Sequence, residues 1–282
     1  MSEVITGYHH IEPVVLQEHE GDASSVIIEC TSIYYRQVNE AIRSAIAEGA
    51  STIRLRGING QRYIGNGITD KNVTIIVEGV AGQDLGMFMA GAHVVVEASA
   101  QDGVGNTMDS GSVVVHGNAG DVVGYGMRGG SVFVRGDVGY RVGIHMKEFK
   151  THKPLIVAGG CARDFFGEYM AGGELVLLGL TSDGTLAADE LVGNYIGTGM
   201  HGGVIYVRGA VEQDQCGKEV GIFEADEKDL GLLAKHIKTY AETFASDFAT
   251  TSEELAELLL GQTWTKLVPV SSRPYGNLYT SI

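Results

Sequence analysis

Seven glycines recur at one position of a repeating unit, and that periodicity leaves few folds open. Gly65, Gly86, Gly105, Gly124, Gly143, Gly167 and Gly197 are spaced 21, 19, 19, 19, 24 and 30 residues apart. From the second onward, each is followed three residues later by a methionine: Met89, Met108, Met127, Met146, Met170 and Met200. The first block carries Ile68 there instead. Each block has a turn-rich half and then a short β-branched or apolar run, such as Val94-Val95-Val96, Val113-Val114-Val115 or Ile205-Tyr206-Val207. A glycine often closes the run, as at Gly117, Gly136, Gly179 and Gly209. One strand per unit, at a near-constant short period, is the signature of a solenoid.

The expected fold is mainly β: a right-handed parallel β-helix of about seven Gly/Met-anchored coils. A single coil cannot bury its apolar side, whereas stacked coils share one continuous core. Stacking at about 4.8 Å per coil gives a prism roughly 30–35 Å tall. The methionines are expected to stack inside, where an unbranched, adaptable side chain fills gaps between slightly different coils. The glycines supply positive φ at corners or let neighbouring backbones approach closely. A β-propeller needs about 40 residues per blade, and a TIM barrel needs long helical patterns between its strands; residues 60–210 offer neither.

The flanks read differently. Residues 33–48 carry apolar side chains at helical spacing and end at Gly49, and Ile53 and Leu55 then alternate with polar residues. This helix-strand unit is expected to cap one end of the stack, since an uncovered terminal coil is a sticky edge. Residues 226–245 and 252–260 read as two helices, the second capped by Thr251 or Ser252 with Glu254 following. The organisation is therefore an N-terminal extension (1–32), a helix-strand cap (33–58), the β-helix (59–211), and C-terminal helices with an extended tail (212–282). Two blocks carry insertions. One contains Lys147, Lys150, His152 and Lys153, and the other, Leu180 to Leu191, is acidic. Solenoid insertions go to the surface and often make its contacts, so the lysine-rich one is expected to protrude as a partner interface.

The 282 residues include 41 glycines but only 4 prolines, so this is no disordered Pro/Gly tract, and 44% hydrophobic content suffices for a sizeable core. The net charge of -15 argues against nucleic acid and acidic membrane surfaces. Cys30, Cys161 and Cys216 are far apart with no C-x-x-C, which argues against a structural zinc or an iron–sulfur cluster within the chain and fits a reduced, cytoplasmic setting. No signal peptide and no 18-residue apolar run are visible.

Several local motifs dissolve into the repeat. Gly124-x-Gly126-x-x-Gly129 and Gly197-x-Gly199-x-x-Gly202 match the dinucleotide fingerprint, but that fingerprint needs a strand before it and a helix after it; here a strand follows. Asp102, Asp121 and Asp164 share one repeat position. A column of acids suits calcium in some β-rolls, yet those repeats are shorter, and aspartates bonding backbone N–H groups at turns account for the column. His145 and His201 flank their column methionines on opposite sides, so they do not share a column. There is no H-E-x-x-H and no G-x-S-x-G. No catalytic, cofactor-binding or metal residue is assigned.

NGQRYIGNGI (59–68), the run 117–146, GEYMAGGELVLLG (167–179), GTGMHGGVIYVRG (197–209) and the tail RPYGNLY (273–279) together resemble the C-terminal GXGXG domain of the glutamate synthase large subunit, over roughly residues 33–282. Similar coils occur in the GXGXG-bearing subunits of formylmethanofuran dehydrogenase and of the related formyltransferase/hydrolase complex. The two end segments favour the stand-alone glutamate synthase form. That resemblance implies a non-catalytic assembly subunit that holds a glutamine amidotransferase subunit and an FMN/iron–sulfur subunit, which together make glutamate from glutamine and 2-oxoglutarate. FMN and iron–sulfur clusters are then expected on the partners and none on this chain, with a homo-oligomer also compatible. The alternatives are the GXGXG-bearing component of a formylmethanofuran dehydrogenase or formyltransferase/hydrolase complex, and a free-standing β-helix metal- or ligand-binding protein.

Overall fold

The computed structural model describes residues 24–188 and 190–270, with the backbone of 14–16. In chain order the elements are β1 (Val14–Leu16), β2 (Ser25–Glu29), α1 (Tyr35–Ala47), β3 (Thr52–Asn59), β4 (Thr74–Val80), β5 (Ala90–Val96) and β6 (Ser110–Val115). They continue with β7 (Ser131–Val134), β8 (Leu155–Ala158), β9 (Ala171–Leu177), β10 (Gly202–Arg208), β11 (Val220–Glu224), α2 (Glu227–Phe244), α3 (Ser252–Leu260) and β12 (Trp264–Pro269). The tail motif 273–279 lies outside the described residues.

Strands β2 to β10 pair in parallel, each with the next in sequence. The molecule is a parallel β-helix. Seven anchor glycines bound six full turns, so the expectation of about seven coils overcounts by one: the last anchor opens a coil that β12 closes with antiparallel pairing to β10. The register carries the core. Ile53, Ile75, Val94, Val113, Val132, Ile156, Leu175 and Ile205 follow one another across the paired strands, and all are fully buried. The six methionines lie in the same core with no exposed surface.

The corner between coils explains the glycine repeat. Gly124 has φ 69°, and a Cβ there would sit 2.3 Å from Ile156 Cδ1 of the core. The position therefore demands both a left-handed backbone and an empty side. The residues two before and two after each anchor are left-handed as well, so three alternate positions per coil have positive φ. Many of these are not glycine: Phe88, Val122, Arg141, His145, Phe165, Tyr169 and Tyr195 have φ between 52° and 65°. Each costs roughly 1–2 kcal/mol over a right-handed residue. An inter-coil backbone ladder holds them, with Phe88 N–H donating to Asn106 O at 2.9 Å and Tyr169 N–H to Thr198 O at 2.8 Å.

Both ends are covered. Helix α1 packs Val38, Ile42 and Ala45 into the same buried cluster as Ile28, Ile53 and Leu55. At the other end β12 and β11 add antiparallel strands. Helices α2 and α3 lie on the outer face of the later strands. There Leu233, Ile237, Phe244, Leu255 and Leu259 cover Phe133, Val157, Val176, Leu178 and Tyr206. Both helices start in capping boxes, Asp226 with Asp229 and Thr251 with Glu254.

Candidate functional site

In β9 the side chains alternate between the two faces. Leu175 and Leu177 enter the coil core, while Val176 and Leu178 face the helices. Glu174 stands just ahead of this run, at the margin of the helix-covered face, and its side chain is only 5% exposed. It draws together two distant segments. His236 of α2 places Nε2 2.5 Å from Glu174 Oε2, and Lys153 of the first insertion pairs with Oε1. Burial opposes ionisation of Glu174, but the hydrogen bonds and charges of His236 and Lys153 outweigh it and hold the carboxyl below the ordinary glutamate range. An open cleft of about 660 Å³ surrounds the trio, walled by Asp109, Ser131, Thr151, His152 and Leu232. His152 Nδ1 lies 3.7 Å from Asp109 Oδ2.

The insertion is an ordered turn whose residues 147–153 are all exposed. Phe149 and His152 exchange two backbone hydrogen bonds, of 2.9 and 3.0 Å, across a tight turn with Lys150 at φ 56°. Glu148 accepts from Gly173 N–H at 3.1 Å, which ties the turn to β9. Lys147 and Lys150 are exposed. Lys153 is committed within its own chain, because a buried carboxylate without a counter-charge would be expensive. All four residues of the expected interface are exposed, and His152 and Lys153 also line the cleft. The acidic insertion also folds back. Thr181 N–H donates to Thr185 O at 2.8 Å, and buried Arg208 donates to Ala187 O at 2.8 Å.

A second buried cluster fastens the helices. Tyr206 donates its hydroxyl to Asp229 Oδ1 at 2.7 Å, and Lys266 donates to Oδ2 at 2.8 Å, joining β10, α2 and β12. Burial alone would raise the Asp229 pKa, but Lys266 and Tyr206 hold it down. Burial first, and then the Asp229 contact, push the Tyr206 hydroxyl up. Burial likewise raises the Cys30 thiol to about 12 and Cys216 to about 11, away from the low values of reactive thiols.

The aspartate column forms a ladder. Asp102 Oδ1 accepts from Asp121 N–H, Asp121 Oδ1 from Tyr140 N–H and Asp164 Oδ1 from Asn194 N–H, each at 2.9 Å. The fingerprint-like segment 124–129 leads into strand β7, with no helix behind it. Among the described residues, no group of three or more His, Cys, Asp or Glu side chains could hold a metal ion, and no helix is long and apolar enough to cross a membrane. No motif in the sequence marks Glu174. Its one signal is an acid directly before an unbroken apolar run, Leu175 to Leu178.

A family model described as the GXGXG motif matches residues 27–270. A protein of Methanocaldococcus jannaschii, described as the uncharacterized protein MJ1350, is 46% identical over 257 residues, covering 90% of this chain and 96% of its own length. A chain in the crystal structure of the formyltransferase/hydrolase complex FhcABCD from Methylorubrum extorquens, solved with methylofuran, superposes with a TM-score of 0.56. It is 21% identical and the match covers 79% of each chain, a likeness of fold. With the family model spanning most of the chain over the left-handed glycine corners that the motif describes, this protein belongs to the GXGXG motif family.

Proposed function

We propose that this chain is a non-catalytic assembly subunit of a multisubunit enzyme complex in the cytoplasm. The observation that carries the reading is where its ionised groups go. Glu174, Asp229 and Arg208 are each consumed in fastening an insertion or a terminal helix to the β-helix. They serve a rigid surface, with exposed Lys147 and Lys150 at its margin.

The similarity in fold to a chain of the FhcABCD complex supports a scaffold role in a formyl-transferring or formyl-oxidising complex. In that reading the catalytic groups belong to the partner subunits. A second reading rests on the segments NGQRYIG (59–65) and RPYGNLY (273–279). They favour a glutamate synthase-like complex, whose amidotransferase and FMN/iron–sulfur subunits would carry the cofactors.

Purification of the tagged chain from native extract, with the co-eluting subunits identified and visible spectra recorded, tests both. Formyltransferase- and amidohydrolase-like partners support the first. An amidotransferase with a flavin and iron–sulfur protein supports the second. A chain that elutes alone at every salt concentration, under conditions where known complexes survive, would sink the assembly reading.

A further inference from the structure

The left-handed corner of the β-helix exposes a row of aromatic rings. Phe88, Tyr125, Tyr140, Tyr169 and Tyr195 are 38–56% exposed, and all lie within three residues of an anchor glycine. Backbone ladders carry them from coil to coil on the two flanks of the anchor glycines: Thr107 N–H donates to Tyr125 O at 2.7 Å on one flank, and Val122 N–H to Tyr140 O at 2.8 Å on the other. Three of these rings occupy left-handed positions where glycine stands in other coils. Phe88 and Tyr169 match Gly67 and Gly126, and Tyr195 matches Gly103. Folding alone favours glycine or asparagine at such positions. Stacking gives a partial return, since His145 stacks on Tyr169 at 5.3 Å and Phe165 on Tyr195 at 4.8 Å. Phe88 is half exposed, is strained, and has no ring partner among the described residues.

The same corner shows what it can hold. The Arg141 guanidinium lies 4.5 Å over the Phe165 ring while it pairs with Glu168. An arginine there is held between a ring face and a carboxylate. Beside the rings runs the aspartate column. Its Oδ1 atoms are taken up by the inter-coil ladder, and its Oδ2 atoms lie outside that ladder. The whole chain carries a net charge of -15. Rings and acids side by side complement a planar cation that stacks and pairs at once, which arginine does better than lysine.

We infer that the aromatic edge of the GXGXG corners is a docking surface for an arginine-bearing segment of a partner protein. The inference deepens the assembly reading, and its test uses neither proposed complex, so either can fail while the other stands. Titrate the full-length protein with two peptides of equal length and charge, one alternating Gly and Arg and the other Gly and Lys, following tyrosine fluorescence. The Arg peptide is expected to bind about threefold or more tighter than the Lys peptide. The combined variant Phe88→Gly, Tyr169→Gly, Tyr195→Gly keeps the net charge. It should abolish that preference and leave the thermal midpoint unchanged or higher. The Asn counterparts, which also tolerate the left-handed backbone, repeat the test if the glycine variant folds poorly. Equal binding of the two peptides, a preference that survives in the folded variants, or a lowered midpoint in both variant sets would each overturn the inference.

Discussion

Asp121 donates its backbone N–H to the carboxylate of Asp102, one coil away, at 2.9 Å, and offers its own Oδ1 to Tyr140 N–H at the same distance. A parallel ladder at this corner is thereby continued by side chains. The ladder also dictates its neighbours: a Cβ on Gly139 would lie 2.1 Å from Asp121 Oδ1 and 2.8 Å from the carbonyl carbon of Gly120. Asp121→Ala should lower stability by about 1 kcal/mol, and Asp121→Asn, which keeps the acceptor, by less than half of that. Gly139→Ala should cost about 1–3 kcal/mol through overpacking. Urea denaturation of the three variants checks the order, and an Asn variant as unstable as the Ala variant would argue against the ladder.

Met127 sits in the middle of the methionine column with no exposed surface. Replacement by aspartate buries an unpaired charge among apolar coils and should cost at least about 3 kcal/mol. Leucine, close in volume, should cost under about 1.5 kcal/mol. Thermal and chemical unfolding of both variants would show the difference; small, equal effects would contradict a buried column.

Glu174 links pH to stability. Its carboxyl is held below the ordinary glutamate range, so its contribution is fully present above the unfolded value near 4.5 and is lost as pH falls through the lowered folded value. Glu174→Gln should destabilise by about 1.5–3 kcal/mol near pH 7, since it removes hydrogen bonds to charged partners. The gap to the native protein should then close on the acid side of pH 4.5. Thermal midpoints of both proteins from about pH 3 to about pH 7 test this; a gap independent of pH would show that Glu174 is not ionised in the folded state.

The lysines of the first insertion should separate by role. Reversing Lys147 and Lys150 to glutamate should leave the thermal midpoint unchanged, because both are exposed, and should slow assembly with partner subunits mainly at low salt. Lys153→Glu puts a second carboxylate against Glu174 and should lower the midpoint. Calorimetry distinguishes the two, and equal midpoints would mean that the Lys153 contact is incidental.

The glycine and methionine spacing was enough to specify a stacked-coil fold, because a solenoid repeats the same demand in every turn. At Gly124 that demand is a left-handed backbone with no side chain, and at Met127 it is a gap-filling apolar group; both are local and show in one chain. Helices α1, α2 and α3 were equally legible from apolar spacing, Gly49 and the Thr251–Glu254 cap. The cleft was not. Lys153 and His236 lie 21 and 62 residues from Glu174, and no periodicity relates an insertion turn to a helix beyond the repeat. Nor could spacing show that β12 pairs antiparallel with β10, or that α2 settles over Val176 and Tyr206 and so brings His236 to Glu174. Those contacts form only once β7 to β10 present a second apolar face. Burying that outer face selects where the helices dock, and the docking pairs the charges.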